Sequence, residues 1–442
     1  MLNYIWLGLI LVSVVLGAWN GHLPEVTKGA IDNAKAAVVD IVLPLVGTLA
    51  VWSGVMRLAE RSGLVKVLAR ALRPLMGRLF PDVPPEHPAM AAMVMNIAAN
   101  MLGLGNAATP LGLKAMSLLE RINPRPGTAT NAMCTFLAVN TSSVQLIPAT
   151  VIALLAAKGA RDPTAVVGTA LFATSCACVV GVTTAKLLQN LPTFALPPVP
   201  PPAAASQDQP ADVPAEEAEP PVPPMVRGGK LVLLAFGLLV LAVFVHEAFF
   251  AVRLDPAGHI ANRFFRIVGA VSVMAIPFIL AFFPLYAALR RLKVYTEFVE
   301  GAREGVQVAV KIVPFLVSML MAIGMFRGSQ GLRMLTDKAG PWLAKIGFQA
   351  DLLPLVLMRP LSGSGSQGLF ADLLNHFSPD SLIVRTAGTI YGSTETTFYV
   401  LAVYFGSVAI RRTRHAVVAG LVADLTGVVA SVFICRLMFG PA

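Results

Sequence analysis

Long apolar runs separated by short polar and basic punctuation dominate the chain. They cover residues 4–19, 36–56, 128–139, 144–157, 164–188, 230–252, 267–289, 308–326, 396–410 and 416–439. Several reach the roughly 20 residues a helix needs to cross hydrocarbon, and the period-two alternation of a β-barrel is missing. The pattern predicts an all-α polytopic membrane protein. Tyr4 to Trp19 has no basic region before it and reads as a retained helix, not a cleaved leader.

From Gln189 to Gly229 the runs give way to prolines, alanines and the acids Asp208, Asp212, Glu216, Glu217 and Glu219. Such a segment cannot bury enough apolar surface to offset its ordering entropy, so it reads as a disordered, Pro-rich linker. It divides the chain into a membrane half at 1–188, the linker at 189–229 and a second membrane half at 230–442. The halves echo each other. Pro44, Gly54 and Arg57 recur as Pro314, Gly324 and Arg327, displaced by 270 positions, and Gly103 and Gly105 recur as Gly363 and Gly365, displaced by 260. "AVVG" at 165–168 answers "AVVA" at 416–419, displaced by 251. Ordered matches of this kind are the trace of a diverged internal duplication.

Crossings can be counted from a cytoplasmic Arg57–Arg78 stretch, taking 88–121 as a re-entrant hairpin and 128–157 as a broken span. The second unit then enters the membrane from the opposite side, giving two inverted repeats with the linker inside. Arg327, Arg333, Lys338 and Lys345 then fall outside, against the usual preference, and reading 128–157 as a hairpin changes the orientation.

Four polar breaks interrupt apolar segments in two corresponding pairs. One hairpin tip, "NMLGLGNAATP" (Asn100–Pro110), offers Asn100, Gly103, Gly105 and Asn106. The other, "RPLSGSGSQG" (Arg359–Gly368), offers Ser362, Gly363, Ser364, Gly365, Ser366 and Gln367. Discontinuous helices break at "VNTSSVQ", with Asn140, Thr141, Ser142, Ser143 and Gln145, and at "YGSTETT", with Ser393, Thr394, Glu395, Thr396 and Thr397. Backbone freed from a helix survives at membrane depth only inside protein or beside a cavity. Matched interrupted helices in two halves point to a midplane transport site, which makes these residues the candidate substrate-binding set. Small polar residues that merely let helices pack closely are the competing reading.

Glu395 is the acid of its break, and Arg359 at the start of the other second-half break is its candidate partner. Asp424 in the last helix is a weaker candidate of the same kind. A structural charge pair and a role in proton coupling satisfy the same energetic demand.

Composition narrows the function further. Of 442 residues 56% are hydrophobic and 13% charged, with a mean hydropathy of +0.72. The net charge of +10 does not imply a nucleic-acid partner. Its Lys and Arg residues cluster at the ends of apolar runs, as in "RRLK" (Arg290–Lys293) and "RRTRH" (Arg411–His415), where they orient membrane helices. Cys134, Cys176, Cys178 and Cys435 fall within apolar segments and read as packing residues. His246, His259, His376 and His415 lack metal-ligand spacing and read as solvated or interfacial, so no metal and no cofactor is expected. "SGSGSQG" lacks the ending of a phosphate loop, and no paired His and Asp accompany "GSG", so no enzyme is expected. Transport would be facilitated or driven by an ion gradient. The expected partners are membrane lipid and a small polar solute, and a homo-oligomer is compatible.

The residues also resemble a known family. "NMLGLGNAATPLGLKAM" and "FLAVNTSSVQLIPATVIALL" look like spore maturation protein A. "RPLSGSGSQG", "GSTETTFYVLAVYFGSV" and "RHAVVAGLVADLTG" look like spore maturation protein B, so the chain resembles a fusion of the two. The resemblance covers nearly everything outside the linker and residues 230–290. It implies a grouping with nucleoside-recognition or gate domains and similarity to concentrative nucleoside transporters. In those, an interfacial helix, a hairpin and a broken helix repeat in inverted orientation. The family's tie to spore core dehydration implies solute movement across a membrane. The resulting expectation is a multi-pass protein of the bacterial inner membrane that moves a small polar or anionic solute, nucleoside-like solutes included, with proton coupling as an option. The alternatives are a non-transporting membrane scaffold or regulator and a lipid-headgroup translocase, which would need a laterally open polar groove.

Overall fold

Residues 2–103, 105–146, 148–196, 224–250, 263–345 and 347–440 are described by the structure, a computed structural model. The first half contains α1 (Leu2–Trp19), α2 (Leu23–Ala36), α3 (Leu43–Arg61), α4 (Leu64–Leu79), α5 (Pro88–Met101), α6 (Gly105–Arg121), α7 (Asn131–Ser142), α8 (Ala149–Ala157) and α9 (Ala165–Leu188). The second contains α10 (Gly229–Val245), α11 (Arg263–Leu289), α12 (Val294–Gly328), α13 (Gly331–Lys345), α14 (Leu353–Met358), α15 (Gly363–His376), α16 (Leu382–Ser393), α17 (Thr397–Ser407) and α18 (Ala416–Phe439). Among the described residues five helices are long and apolar enough to cross a membrane, and the bent pair Leu23–Val42 and Leu45–Arg61 makes a sixth if it counts as one span. The protein is an all-α multi-pass membrane protein.

Two helices run well beyond their apolar stretches. The run at 36–56 is preceded by the polar α2 and joined to it through a π-helical segment, Ala37–Val42, with a bend of 43°. The run at 308–326 is the later part of the 35-residue α12. Each extension is supported by the other half of the chain, so local hydrophobicity understates both. Arg57 pairs with Glu297 at 3.0 Å and with Glu304, and Arg61 approaches Glu297 at 3.5 Å.

The α2–α3 rod lies antiparallel along α12. Gly54 sits against Gly301, Leu49 and Ala50 against Gly305, Gly29 against Gly324, and Glu25 against Gly328. Absent side chains let the backbones touch. The pairing is crosswise: Gly54 and Gly324, 270 positions apart, each face a glycine on the opposite rod. Helices α9 and α18 also run antiparallel, with Gly181 against Ala423 and Gly427 near Ala177.

A second crosswise relation follows the 251-residue displacement. The Ala129 amide, before α7, donates to the Arg412 carbonyl before α18 at 2.9 Å. Displaced by 251, the Arg161 amide before α9 donates to the Asp380 carboxylate before α16 at 3.2 Å.

Helix α5 folds back onto α6 and α14 onto α15, forming the two hairpins. By contrast α7 is not packed along α8, nor α16 along α17; each pair carries on through its break. This geometry favours the broken-span reading of 128–157. Helix α7 packs against both α9 and α18, and α16 likewise, so the two broken helices share one four-helix centre. Phe136, Phe370, Met93 and Met133 are fully buried around it.

Most of the linker, residues 197–223, lies outside the described residues, but its first turn is anchored. Pro192–Phe194 forms a 3-10 turn, and the Phe194 carbonyl accepts from Arg414 Nε at 2.8 Å and Nη2 at 2.6 Å.

Candidate functional site

The breaks predicted from the sequence are real, and the two discontinuous helices close on each other. Helix α7 ends at Ser142, and Ser143 turns the chain with a left-handed φ of 35°. The carbonyls freed there are met by other elements: Thr174 of α9 donates to Ser142 O at 2.6 Å and Ser143 O at 3.1 Å. The Thr141 carbonyl accepts from the amide of Glu395 at 2.6 Å. Gln145 Nε2 donates to Glu395 Oε1 at 3.3 Å, so the half-buried carboxylate is held by the first half's break.

The second break is served by α18 much as the first is by α9. Thr397 Oγ1 donates to Asp424 Oδ2 at 2.6 Å, while Asp424 Oδ1 is buried without a partner. Gly427 leaves room for Thr394 and Ser393, and Gly420 for Thr397 and Thr141. Ser393 turns back to the Ile390 carbonyl at 2.9 Å and Ser142 to those of Ala138 and Val139, both at 3.0 Å. Those two hydroxyls finish their own helices.

The hairpin tips reach the same centre. In the first half Asn100 Nδ2 donates to Asn140 Oδ1 at 2.9 Å. Gly103 makes the turn between α5 and α6 with φ +75°. Gly105 opens α6, and the side chain of Asn106 lies outside the described residues. In the second half Ser362 caps α15 by accepting from the Gly365 amide at 3.0 Å, approaches Ser364 at 3.3 Å, and offers its carbonyl to Ser366 at 2.7 Å. Gly363 packs against the Thr396 hydroxyl, and the buried Gln367 leaves Nε2 unpartnered.

The expected contact between Glu395 and Arg359 is not formed as an ion pair among the described residues. Arg359 instead donates to Thr396 Oγ1 at 3.4 Å and lies over the ring of Tyr391, 4.8 Å from its centroid. Two neighbours with adjacent roles, Thr396 and Glu395, point to different partners because the chain is extended through the break.

Sequence reasoning missed Tyr404. From α17 it donates to Asn140 Oδ1 at 3.3 Å, receives Asn96 Nδ2 at 3.2 Å, and stacks on Phe136. Gly112 is needed beneath it, since a methyl there would collide with the phenol. A tyrosine on the buried stripe of an apolar helix just after a break was the available signal.

Unpartnered buried polar atoms occur in these elements at Asn96 Oδ1, Thr141 Oγ1, Ser143 Oγ, Arg359 Nε, Gln367 Nε2 and Asp424 Oδ1, and others lie elsewhere, at Gln189 Oε1, Arg327 Nε, Asp372 Oδ1 and both ring nitrogens of His415. A separate apolar groove of about 620 Å³, between Phe348 and the Val428, Phe433 and Arg436 face of α18, contains none of them.

Comparison with known proteins gives this geometry a family. Spore maturation protein B of Bacillus subtilis (strain 168) is 45% identical over 177 residues, covering 40% of this chain and 99% of that protein. The chain belongs to the spore maturation protein family. Spore maturation protein A of the same organism is 45% identical over 174 residues, 39% of this chain and 88% of that protein. Two relatives, each accounting for about two fifths of the chain, are consistent with a fusion. A family model described as Gate, nucleoside recognition, matches residues 42–158, which carry α3, the first hairpin and the first broken helix. The crystal structure of the YdaH transporter of Alcanivorax borkumensis superposes over 98% of this chain and 97% of that one. Its TM-score is 0.43 at 18% identity, a likeness too slight to carry an argument.

Proposed function

We propose that the chain is a transporter of the bacterial inner membrane, built from two inverted gate repeats, that moves a small polar solute through the centre where the four breaks meet. The observation that carries this reading is the gathering of unpartnered buried donors and acceptors from both halves: Thr141 and Ser143 from one, Arg359, Gln367 and Asp424 from the other. A buried polar group without a partner costs about 1–3 kcal/mol, and a solute that supplies the missing hydrogen bonds recovers that cost on binding. A purely packing role for the breaks would predict groups satisfied by protein alone, as Ser142 and Ser393 are.

The antiparallel pairing of α2–α3 with α12 and of α9 with α18 supports the inverted arrangement, since an in-plane two-fold axis turns each element against its counterpart. The half-buried Glu395 and the buried Asp424 are the candidate proton carriers, and Asn140, Thr141, Gln145 and Thr397 would orient the solute. The domain division at 1–188, 189–229 and 230–442, with spore maturation protein A-like and B-like halves, belongs to the same proposal. Solute-dependent thermal stabilisation of the purified protein, followed by uptake into vesicles with uridine as first probe, tests it. Stabilisation without uptake would favour a regulator that only senses the solute.

A further inference from the structure

The two repeats make analogous contacts with different chemistry, Arg359 standing one position before the residue that the 260-residue displacement would match to Asn100. In each, the residue at the start of the hairpin tip reaches the last turn of the helix before the break: Asn100 to Asn140 in the first half, Arg359 to Tyr391 in the second. Tyr391 stands 251 positions after Asn140, the displacement that relates these segments. One half therefore presents neutral amides at the centre and the other a guanidinium.

That guanidinium has no carboxylate in direct contact among the described residues. Arg359 is 4% exposed, its Nε is unpartnered, and its contacts are the Thr396 hydroxyl and the Tyr391 ring. The half-buried Arg327, by contrast, meets the carboxylate of Asp372 directly. A buried cation left with a hydroxyl and a π face retains a large desolvation cost that an anion in contact with it would offset. Two further features converge there. The Thr396 hydroxyl that receives Arg359 also lies beside Gly363, where an added methyl would meet it, at the amino-terminal end of the 14-residue α15, whose positive dipole end favours anions. Gln367, 6% exposed on the same helix, leaves its Nε2 donor without a partner.

Resting on the transport reading above, we infer that the solute carries a carboxylate and that this group docks on Arg359 beside the second hairpin tip. The guanidinium edge left free is planar and suits a two-oxygen acceptor. A carboxylate is favoured over a phosphate monoester by the local charge. Asp424 holds the residue after Thr396, Thr397, so a second negative charge on the ligand would meet a carboxylate. The first half, with Asn100, Asn140 and Thr141, would bind the uncharged remainder of the solute.

The test uses the full-length wild-type protein in detergent. Phenylglyoxal modification of Arg359, read by mass spectrometry, is followed with benzoate, inorganic phosphate or uridine present, and with Arg161 as an internal reference. Benzoate should slow modification of Arg359 relative to Arg161 and raise Tm; phosphate should do neither to the same degree. Arg359→Lys, which keeps the charge but not the fork, should require about ten-fold more benzoate for the same Tm rise. Thr396→Val, which leaves the guanidinium in place, should retain most of the protection. Protection by phosphate in preference to benzoate would overturn the carboxylate assignment. Stabilisation by uridine with no protection by benzoate would overturn the inference while leaving the transport reading standing. No stabilisation by any of the three, with Arg359 modified at one unchanging rate or not modified at all, would count against both.

Discussion

The amide of Glu395 donates to the carbonyl of Thr141 over 2.6 Å, so the break in one half's discontinuous helix is closed by the break in the other. Backbone groups released at membrane depth have no water or lipid to turn to. Here each break finds partners in the other half or on the helix that follows it. Neither half's centre is complete alone.

Glu395→Gln is expected to be nearly neutral for folding. The amide keeps an oxygen to accept from Gln145, now 3.3 Å from Oε1, so the change in stability should stay within about 1 kcal/mol. If Glu395 carries the coupled proton, the variant loses the pH dependence of uptake while still binding solute. Arg359→Met added to Glu395→Gln should recover no stability, because the two side chains do not form an ion pair in the wild type; a clear rise in Tm over Glu395→Gln alone would show that they do.

Thr397→Val removes the hydroxyl that donates to Asp424 at 2.6 Å, leaving both carboxylate oxygens without a partner. A loss of about 1–3 kcal/mol is expected, and Asp424→Asn in the same background should restore part of it by removing the charge. Denaturation in detergent of the single and double variants checks this; a Thr397→Val protein as stable as wild type would show that Asp424 finds another donor.

Gly324→Ala should be among the most damaging small substitutions. A methyl there would strike the Gly29 carbonyl and the Asn33 side chain, and the carbonyl belongs to a helix that cannot step aside. Overpacking of this kind costs about 1–3 kcal/mol or more, whereas Gly8→Ala, with nothing within 4 Å, should be silent. Comparing the Tm values of the two variants checks the crossing, and equal values would contradict it.

Much of this arrangement was legible in the chain, for identifiable reasons. Glycines and short polar residues inside apolar runs locate all four breaks, because a helix cannot carry them through hydrocarbon without other partners. The 270-residue recurrence of Gly54 as Gly324 marks a helix crossing that both halves share. What stayed hidden depends on contacts across the halves. The polar α2 and the first turns of α12 are helical because each lies on the opposite rod, α2 on the last turns of α12 and the first turns of α12 on the end of α3, which no local periodicity reports. Tyr404 reads as one more apolar-helix residue until Asn96 and Asn140 are placed beside it. The partner of Arg359 could not be read from the motif, since the extended chain at Thr394–Thr396 sends neighbouring side chains to different elements.

His415 reads as interfacial by sequence, but it is fully buried, edge-on to Phe194, and both ring nitrogens lack partners. Burial first, then the positive charges of Arg414 and Lys186, push its pKa down to about 4 from an ordinary 6.5. The folded ring therefore stays neutral where the unfolded one gains a proton. The stability it permits is fully present above about pH 6.5 and is lost as pH falls from there toward 4. His415→Leu should flatten the fall of Tm across that window; an unaltered slope would remove His415 from the explanation.

The last prediction concerns how the halves stay together without the covalent linker. Residues 1–196 and 224–442, expressed as separate chains, should assemble and co-purify. The halves already meet along α2–α3 with α12, along α9 with α18, and at the paired breaks. A linker of this composition would then serve mainly to raise the effective concentration of one half near the other. The cut must spare Phe194. Its carbonyl accepts two hydrogen bonds from Arg414, and Arg414 Nη1 also holds the Ala129 carbonyl at 3.1 Å and Asn131 at 2.8 Å. A first chain ending at 190 would leave that half-buried guanidinium short of an acceptor, so its complex should be less stable by about 1–3 kcal/mol than the one ending at 196. Equal melting temperatures for the two split forms would show that the Phe194 turn contributes nothing to holding the halves, and failure of both to co-purify would refute the expectation that the halves hold each other without the linker.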